Sequence, residues 1–191
     1  MVRPKSGVPR GYQAVMPYLR VDDAVSAIKF YKKAFGAKEN YRLKMPDGKI
    51  GHAELTLGGS VIMLSDAFPD KKIVSAKSAK ATSIHLTAYV ENVDKFVAKA
   101  LKAGAKVRRA VADQFYGDRT GQIEDPFGHV WSIQSRVEKV SPKDMQKRLN
   151  AELRGPAPAK VKATKTAAKR KPAAKTSKAA AAKPRRKTAT A

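Results

Sequence analysis

The sequence predicts an α+β chain built from two tandem βαβββ modules, followed by a basic tail. Three observations predict it. A pattern of apolar residues, caps and glycines recurs at an offset of 69 residues. Each copy reads strand, helix, then three strands. The composition changes abruptly near Gly155.

In the first copy, Ala14–Arg20 reads as a strand, with Pro17 arguing for an edge or irregular pairing. Val21-Asp22-Asp23-Ala24 opens a helix whose apolar face is Ala24, Ile28, Tyr31 and Phe35, and Gly36 stops it. Strands follow at Glu39–Lys44, His52–Leu57 and Ser60–Ser65, with Pro46-Asp47-Gly48 and Gly58-Gly59 as the turns. In the second copy the strands fall near Ser83–Val90, Lys106–Ala112, Gly121–Glu124 and Val130–Arg136. The second helix has the face Val93, Val97, Ala100 and Leu101 and stops at Gly104. Val21 corresponds to Val90, Ile28 to Val97, Ile62 to Trp131 and Leu64 to Ile133. Gly36-Ala37-Lys38 returns as Gly104-Ala105-Lys106 with one residue dropped. Solenoid repeats are shorter, about 20–50 residues, so this is a duplicated supersecondary unit.

Ser141-Pro142-Lys143-Asp144 supplies a cap, a first-turn proline and an acid, and predicts an amphipathic helix over 142–153 carrying Met145, Leu149 and Leu153. Downstream of Gly155, Val161 is the one large apolar residue. Such a segment cannot offset an ordering cost of about 1–2 kcal/mol per residue and reads as disordered. The expected organisation is an N-terminal arm over 1–11, a duplicated domain over 12–137 with modules at 12–66 and 83–137, a short amphipathic helix within 138–154, and a disordered basic tail over 155–191.

The net charge of +24 is unevenly placed: 13 Lys and Arg and no acid lie between Arg154 and Ala191. The chain has no cysteine, which removes disulfides, thiolate metal sites and a cysteine nucleophile. No signal peptide, membrane span, phosphate loop, nucleophile elbow or HExxH motif is found, so the chain is expected to be cytoplasmic, with nucleoid association a possibility raised by the tail.

Tyr18-Leu19-Arg20-Val21, Phe30-Tyr31-Lys32-Lys33-Ala34-Phe35-Gly36, Val61-Ile62-Met63-Leu64-Ser65-Asp66, Gln114-Phe115-Tyr116-Gly117-Asp118-Arg119 and Asp125-Pro126-Phe127-Gly128-His129-Val130-Trp131 together resemble the PhnB-like branch of the vicinal oxygen chelate superfamily of glyoxalases, bleomycin resistance proteins and dioxygenases. The resemblance implies a curved eight-stranded mixed sheet around a pocket, and often a homodimer. It also implies four metal-ligand positions, on the first and last strand of each module: Met16, Met63, His85 and Ser132. The offset of 69 pairs the same positions, 16 with 85 and 63 with 132. Only His85 suits a hard or borderline divalent ion, so neither a metal nor another cofactor is expected. A Cu(I) site at Met16, Met63 and His85 is the alternative to two methionines lining an apolar wall.

Strand alternation puts His52, Glu54 and Thr56 on the pocket face, opposite Ala53, Leu55 and Leu57. His52, Glu54 and His85 are the candidate acid–base groups, unless His52 and Glu54 lie at an exposed sheet rim. Tyr116, Asp118 and Arg119 read as a loop over the pocket. There Arg119 either meets an anionic group or pairs internally with an acid. His129 reads as exposed after a turn, and Phe30 and Trp131 as core.

Lys169, Arg170, Lys171, Lys175, Lys183, Arg185, Arg186 and Lys187 lie in stretches that resemble linker-histone tails, which implies non-specific nucleic-acid binding by counterion release. Two functions follow as expectations. One is a domain that binds or transforms a small organic molecule without a divalent metal, tethered to nucleic acid by its tail. The other is a nucleic-acid-associated protein whose domain is a non-catalytic dimerisation or ligand-sequestering module. Enzyme and binder are not separated by the sequence.

Overall fold

A computed structural model describes residues 7–154. The basic tail over 155–191, with its eight candidate nucleic-acid contacts, lies outside the described residues, as do residues 1–6.

The first module contains β1 (Tyr18–Val21), α1 (Ala24–Phe30, continued by a π-helical turn over Tyr31–Phe35), β2 (Lys38–Lys44), β3 (Ile50–Leu57) and β4 (Ser60–Asp66). A link with a short helix α2 (Ala76–Ala79) leads to the second module. That module contains β5 (His85–Tyr89), α3 (Val93–Lys102), β6 (Lys106–Asp113), β7 (Asp118–Glu124) and β8 (Val130–Arg136), and α4 (Pro142–Leu153) follows. The eight predicted strands are all present, four to a module, as two mixed sheets of order β1-β4-β3-β2 and β5-β8-β7-β6.

The repeat is visible in the register. Tyr18 pairs with Met63 in the parallel β1/β4 ladder, and Thr87 pairs with Ser132 in β5/β8, both shifted by 69. The caps repeat too: Asp23 accepts from the Ser26 N–H at 2.9 Å and Asn92 from the Lys95 N–H at 2.9 Å. The dropped residue has a structural location. From the first helical residue to the closing glycine, Ala24 to Gly36 is one residue longer than Val93 to Gly104, and the last turn of the first helix is π-helical, a wider turn that takes up a single extra residue. The count is restored beyond β7, where Glu124 and Val130 are bridged by a longer turn than the one between Leu57 and Ser60.

Some boundaries differ from expectation. β1 begins at Tyr18, not Ala14, because Pro17 has no N–H to give and contributes only its carbonyl, which accepts from Met63 N–H. β7 begins at Asp118, not Gly121. Asp118 and Arg119 are therefore strand residues, and the hairpin turn is Gln114–Gly117, closed by the Gly117 N–H to Gln114 carbonyl bond. The helix over 142–153 is found as predicted, capped by Ser141.

The buried faces follow the predicted alternation. Ala53, Leu55, Ile62 and Leu64 enter the core with Ala24, Ile28, Tyr31 and Phe35. The two modules are joined by aromatic packing. Phe35 meets Trp131 edge-on at 4.9 Å and Phe96 at 5.0 Å. Each ring buried this way contributes roughly 1.5–3 kcal/mol. Because the helices and the inner sheet faces share this core, the opposite sheet faces are left for polar side chains.

Candidate functional site

Cross-strand register builds the polar face of the first sheet. Tyr18, Met63, Glu54 and Tyr41 are successive partners across β1, β4, β3 and β2, so they share one row on one face. His52 lies two residues before Glu54 on the same side. Glu54 is 2% exposed. It accepts from the Tyr12 hydroxyl at 2.5 Å and the Tyr41 hydroxyl at 2.7 Å, and its Oε1 lies 3.3 Å from His52 Nε2. The Tyr18 hydroxyl lies 2.9 Å from His52 Nδ1. The consistent assignment is Nε2–H donating to the carboxylate and Nδ1 accepting from Tyr18. Burial alone would raise the Glu54 pKa, but the bonds from Tyr12, Tyr41 and His52 outweigh it and hold it below the ordinary range. The same contact pushes Tyr41 up to about 12, with burial adding to it.

The second module carries a related network. Asp118, 2% exposed, accepts from the Tyr89 hydroxyl at 2.7 Å and from Arg136 Nε. Arg119 points elsewhere, into ion pairs with Asp94 at 2.8 Å and Asp113 at 3.0 Å. The Tyr116 hydroxyl lies 3.3 Å from Thr120 Oγ1.

Between β1 and β5 lies a cavity of about 720 Å³. Met16, Tyr18, Arg20, His85, Thr87 and His129 line it, with the α2 segment along its side. His129 corrects the expectation of an exposed side chain: it is 8% exposed. Segment 75–77 lies directly against Gly128, a contact between distant parts of the chain, and so helps to bury the turn. Next to it, Asp125 accepts from Tyr31 Oη at 2.6 Å, Trp131 Nε1 at 2.9 Å, and the N–H groups of Phe127 and His129 at 2.9 and 3.0 Å. Burial pushes the Asp125 pKa up, but His129, Tyr31 and Trp131 together bring it below the usual carboxylate value.

A family model described as the glyoxalase/bleomycin resistance protein/dioxygenase superfamily matches residues 12–133. The chain belongs to this superfamily. An uncharacterized protein of Mycobacterium tuberculosis, Rv0887c, is 44% identical over 146 residues, covering 73% of this chain and 84% of that protein. Protein YjdN of Escherichia coli is 28% identical, over 61% of this chain and 91% of its own length. Among solved structures, the Arabidopsis thaliana At5g48480 product has a TM-score of 0.52 at 26% identity, covering 64% of this chain and 98% of its own. A Bacillus cereus PhnB protein shares the fold, with a TM-score of 0.52 at 18% identity and coverage of 64% and 99%.

Members of the superfamily that use a divalent ion need a donor set that these residues do not supply. Met16 and His85 line the cavity, whereas Met63 and Ser132 do not. Met63 lies between Tyr18 and Glu54 in its row. Ser132 lies between Thr87 and Gln122, whose Nε2 donates to the serine oxygen at 3.2 Å. Two thioethers, one hydroxyl already hydrogen-bonded and one imidazole do not fit a hard or borderline cation. Among the described residues no group of three or more His, Cys, Asp or Glu could hold a metal ion.

The structure thus brings His52 and Glu54 together and places His85 on the cavity wall, apart from that pair's hydrogen-bond network among the described residues. Sequence reasoning missed Tyr12, Tyr41, Arg20 and His129. Tyr41 and Arg20 had a signal in strand alternation, but the register shifts in the β2/β3 ladder hide which residue faces Glu54. Among the described residues no helix is long and apolar enough to cross a membrane.

Proposed function

We propose that this superfamily member binds a small organic molecule in the cavity between β1 and β5, without a divalent ion at Met16, Met63, His85 and Ser132. The observation that carries the reading is the cavity itself. Its volume is that of an ordinary ligand pocket, about 300–1,000 Å³, and its walls mix apolar side chains with a few polar groups. It also lies between the two strands that the duplication relates to each other. His85 meets the ligand directly. His52, oriented by Glu54, reaches the cavity through Tyr18, which forms part of the wall. If chemistry follows binding, His52, Glu54 and His85 are its acid–base groups.

A fragment screen by saturation-transfer NMR tests the reading, using the full chain and a Thr87→Trp variant that fills the cavity. Hits that the variant loses support it. Hits that persist unchanged, or no hits at all, refute it.

The tail extends the proposal to nucleic acid, and the charge run supports that extension: 13 cations and no acid over residues 154–191. A gel shift compares the full chain with a 1–153 truncation. Equal DNA binding by both, insensitive to salt, refutes the tether. A homodimer, read by sedimentation velocity, completes the proposal.

A further inference from the structure

Resting on the cavity reading above, we infer that the ligand carries an anionic group, a carboxylate or phosphonate on an apolar body, held by Arg20 with His85 and His129. Among the described residues the cavity wall contains these three nitrogen-bearing side chains and no Asp or Glu. The rest of the wall is largely apolar, with Val15, Val74 and Ile84 among its exposed residues.

Arg20 is the decisive residue. Arg42, Arg119 and Arg148 are half-buried as it is, and each has a carboxylate within ion-pair distance. Arg20 has none. Its guanidinium donates to Ser65 Oγ and lies 4.1 Å from the Tyr18 ring centroid, so it is fixed in place by neutral groups. A positioned guanidinium retains donors for a bidentate oxyanion and loses little entropy on binding one.

His129 adds a second directed group. Its buried Nδ1 has no hydrogen-bond partner and lies 3.5 Å from Asp125 Oδ2. Asp125 Oδ2, which already accepts from Tyr31 and Trp131, faces Nδ1, so the ring's other nitrogen is the one left for the ligand. A smaller pocket of about 450 Å³ also has cationic side chains in its wall, but Glu124 and Asp125 stand beside them and offset that charge.

The chain has three histidines, His52, His85 and His129, and none in the basic tail. Imidazole ¹H–¹³C spectra of the full chain therefore read the cavity and are blind to anions condensing on the tail. The probes are benzoate, phenylphosphonate and the neutral benzamide. Benzoate and phenylphosphonate are expected to shift His85 and His129 saturably, with benzamide at least about tenfold weaker. Arg20→Gln is expected to weaken the anions by about tenfold or more while leaving benzamide unchanged. His85→Gln, at an exposed position, gives a second variant whose folding is not at risk and is expected to weaken the anions too.

Benzamide matching benzoate at His85 and His129 would overturn the anion inference and leave the cavity reading standing. So would anion binding unchanged in both variants. Failure of all three probes to move either histidine would overturn both.

Discussion

Replacing Asp125 tests whether one buried carboxylate joins the two modules. Four donors converge on it: the Tyr31 hydroxyl from the first module, Trp131 Nε1, and two N–H groups of its own turn. Tyr31 is 0% and Trp131 2% exposed, so water cannot easily replace the lost acceptor. Asp125→Ala strands these donors, at about 1 kcal/mol or more each, for a total near 4 kcal/mol. With a urea slope of about 2 kcal/mol per molar, the midpoint falls by roughly 2 M. Asp125→Asn keeps the volume and one acceptor, but its NH₂ must face other donors, so it recovers about half of the loss. The acid limb gives an independent check. The folded pKa of Asp125 lies below its unfolded value, so the carboxylate's contribution is complete above the unfolded pKa of about 3.9 and is lost as pH falls through the folded one. The stability gap between wild type and Asp125→Asn should therefore narrow below about pH 4. Urea titrations at pH 7 and across the acid range measure both effects. A cost below about 1 kcal/mol for Asp125→Ala, or an Asn variant as stable as wild type, would refute the assignment.

Three further outcomes are expected. In Glu54→Gln, Tyr41 loses the neighbour that pushes it up to about 12 and titrates closer to 10, seen as an earlier rise in tyrosinate absorbance; an unchanged curve contradicts the Glu54 network. Gly128→Ala places a Cβ 2.7 Å from the Lys77 nitrogen at a φ of +89°, so it should cost about 2 kcal/mol or more and loosen segment 75–77; a loss within about 0.5 kcal/mol would contradict the close packing. Chain dialysed against Zn²⁺, Ni²⁺ or Mn²⁺ and then washed should retain far less than one ion per chain by elemental analysis; a stoichiometric ion lost on His85→Ala would overturn the donor-set argument.

The parts of the fold that were legible in the sequence were those set by local chemistry. Asp23 and Asn92 cap their helices because an Asx side chain can reach the N–H three residues on, a relation confined to four consecutive residues. The inner faces at Ala53, Leu55, Ile62 and Leu64 follow from strand alternation. The misplaced features depend on distant contacts. His129 is buried in a turn that the segment near Lys77 packs against, some fifty residues earlier. The loop expected around Arg119 became strand because its ladder to Ser135 outweighs the turn-like composition. In the candidate site, alternation alone put His52 and Glu54 on the sheet face opposite Ala53 and Leu55, though neither is among the residues that line the cavity between β1 and β5. The tyrosines that close on Glu54 could not be placed, since Tyr12 comes from outside the sheet and Tyr41 meets it through an irregular register.

The π-helical turn at Tyr31–Phe35 has a consequence for how a duplicated protein can diverge. A residue inserted into β1 or β5 would reverse every side chain beyond it, sending cavity residues into the core. Inserted into the helix, it is absorbed within one turn, and both sheets keep their shared register. Helices and the turns between strands are thus where the two halves of this chain can drift apart in length, while the strands that shape the cavity must stay in step.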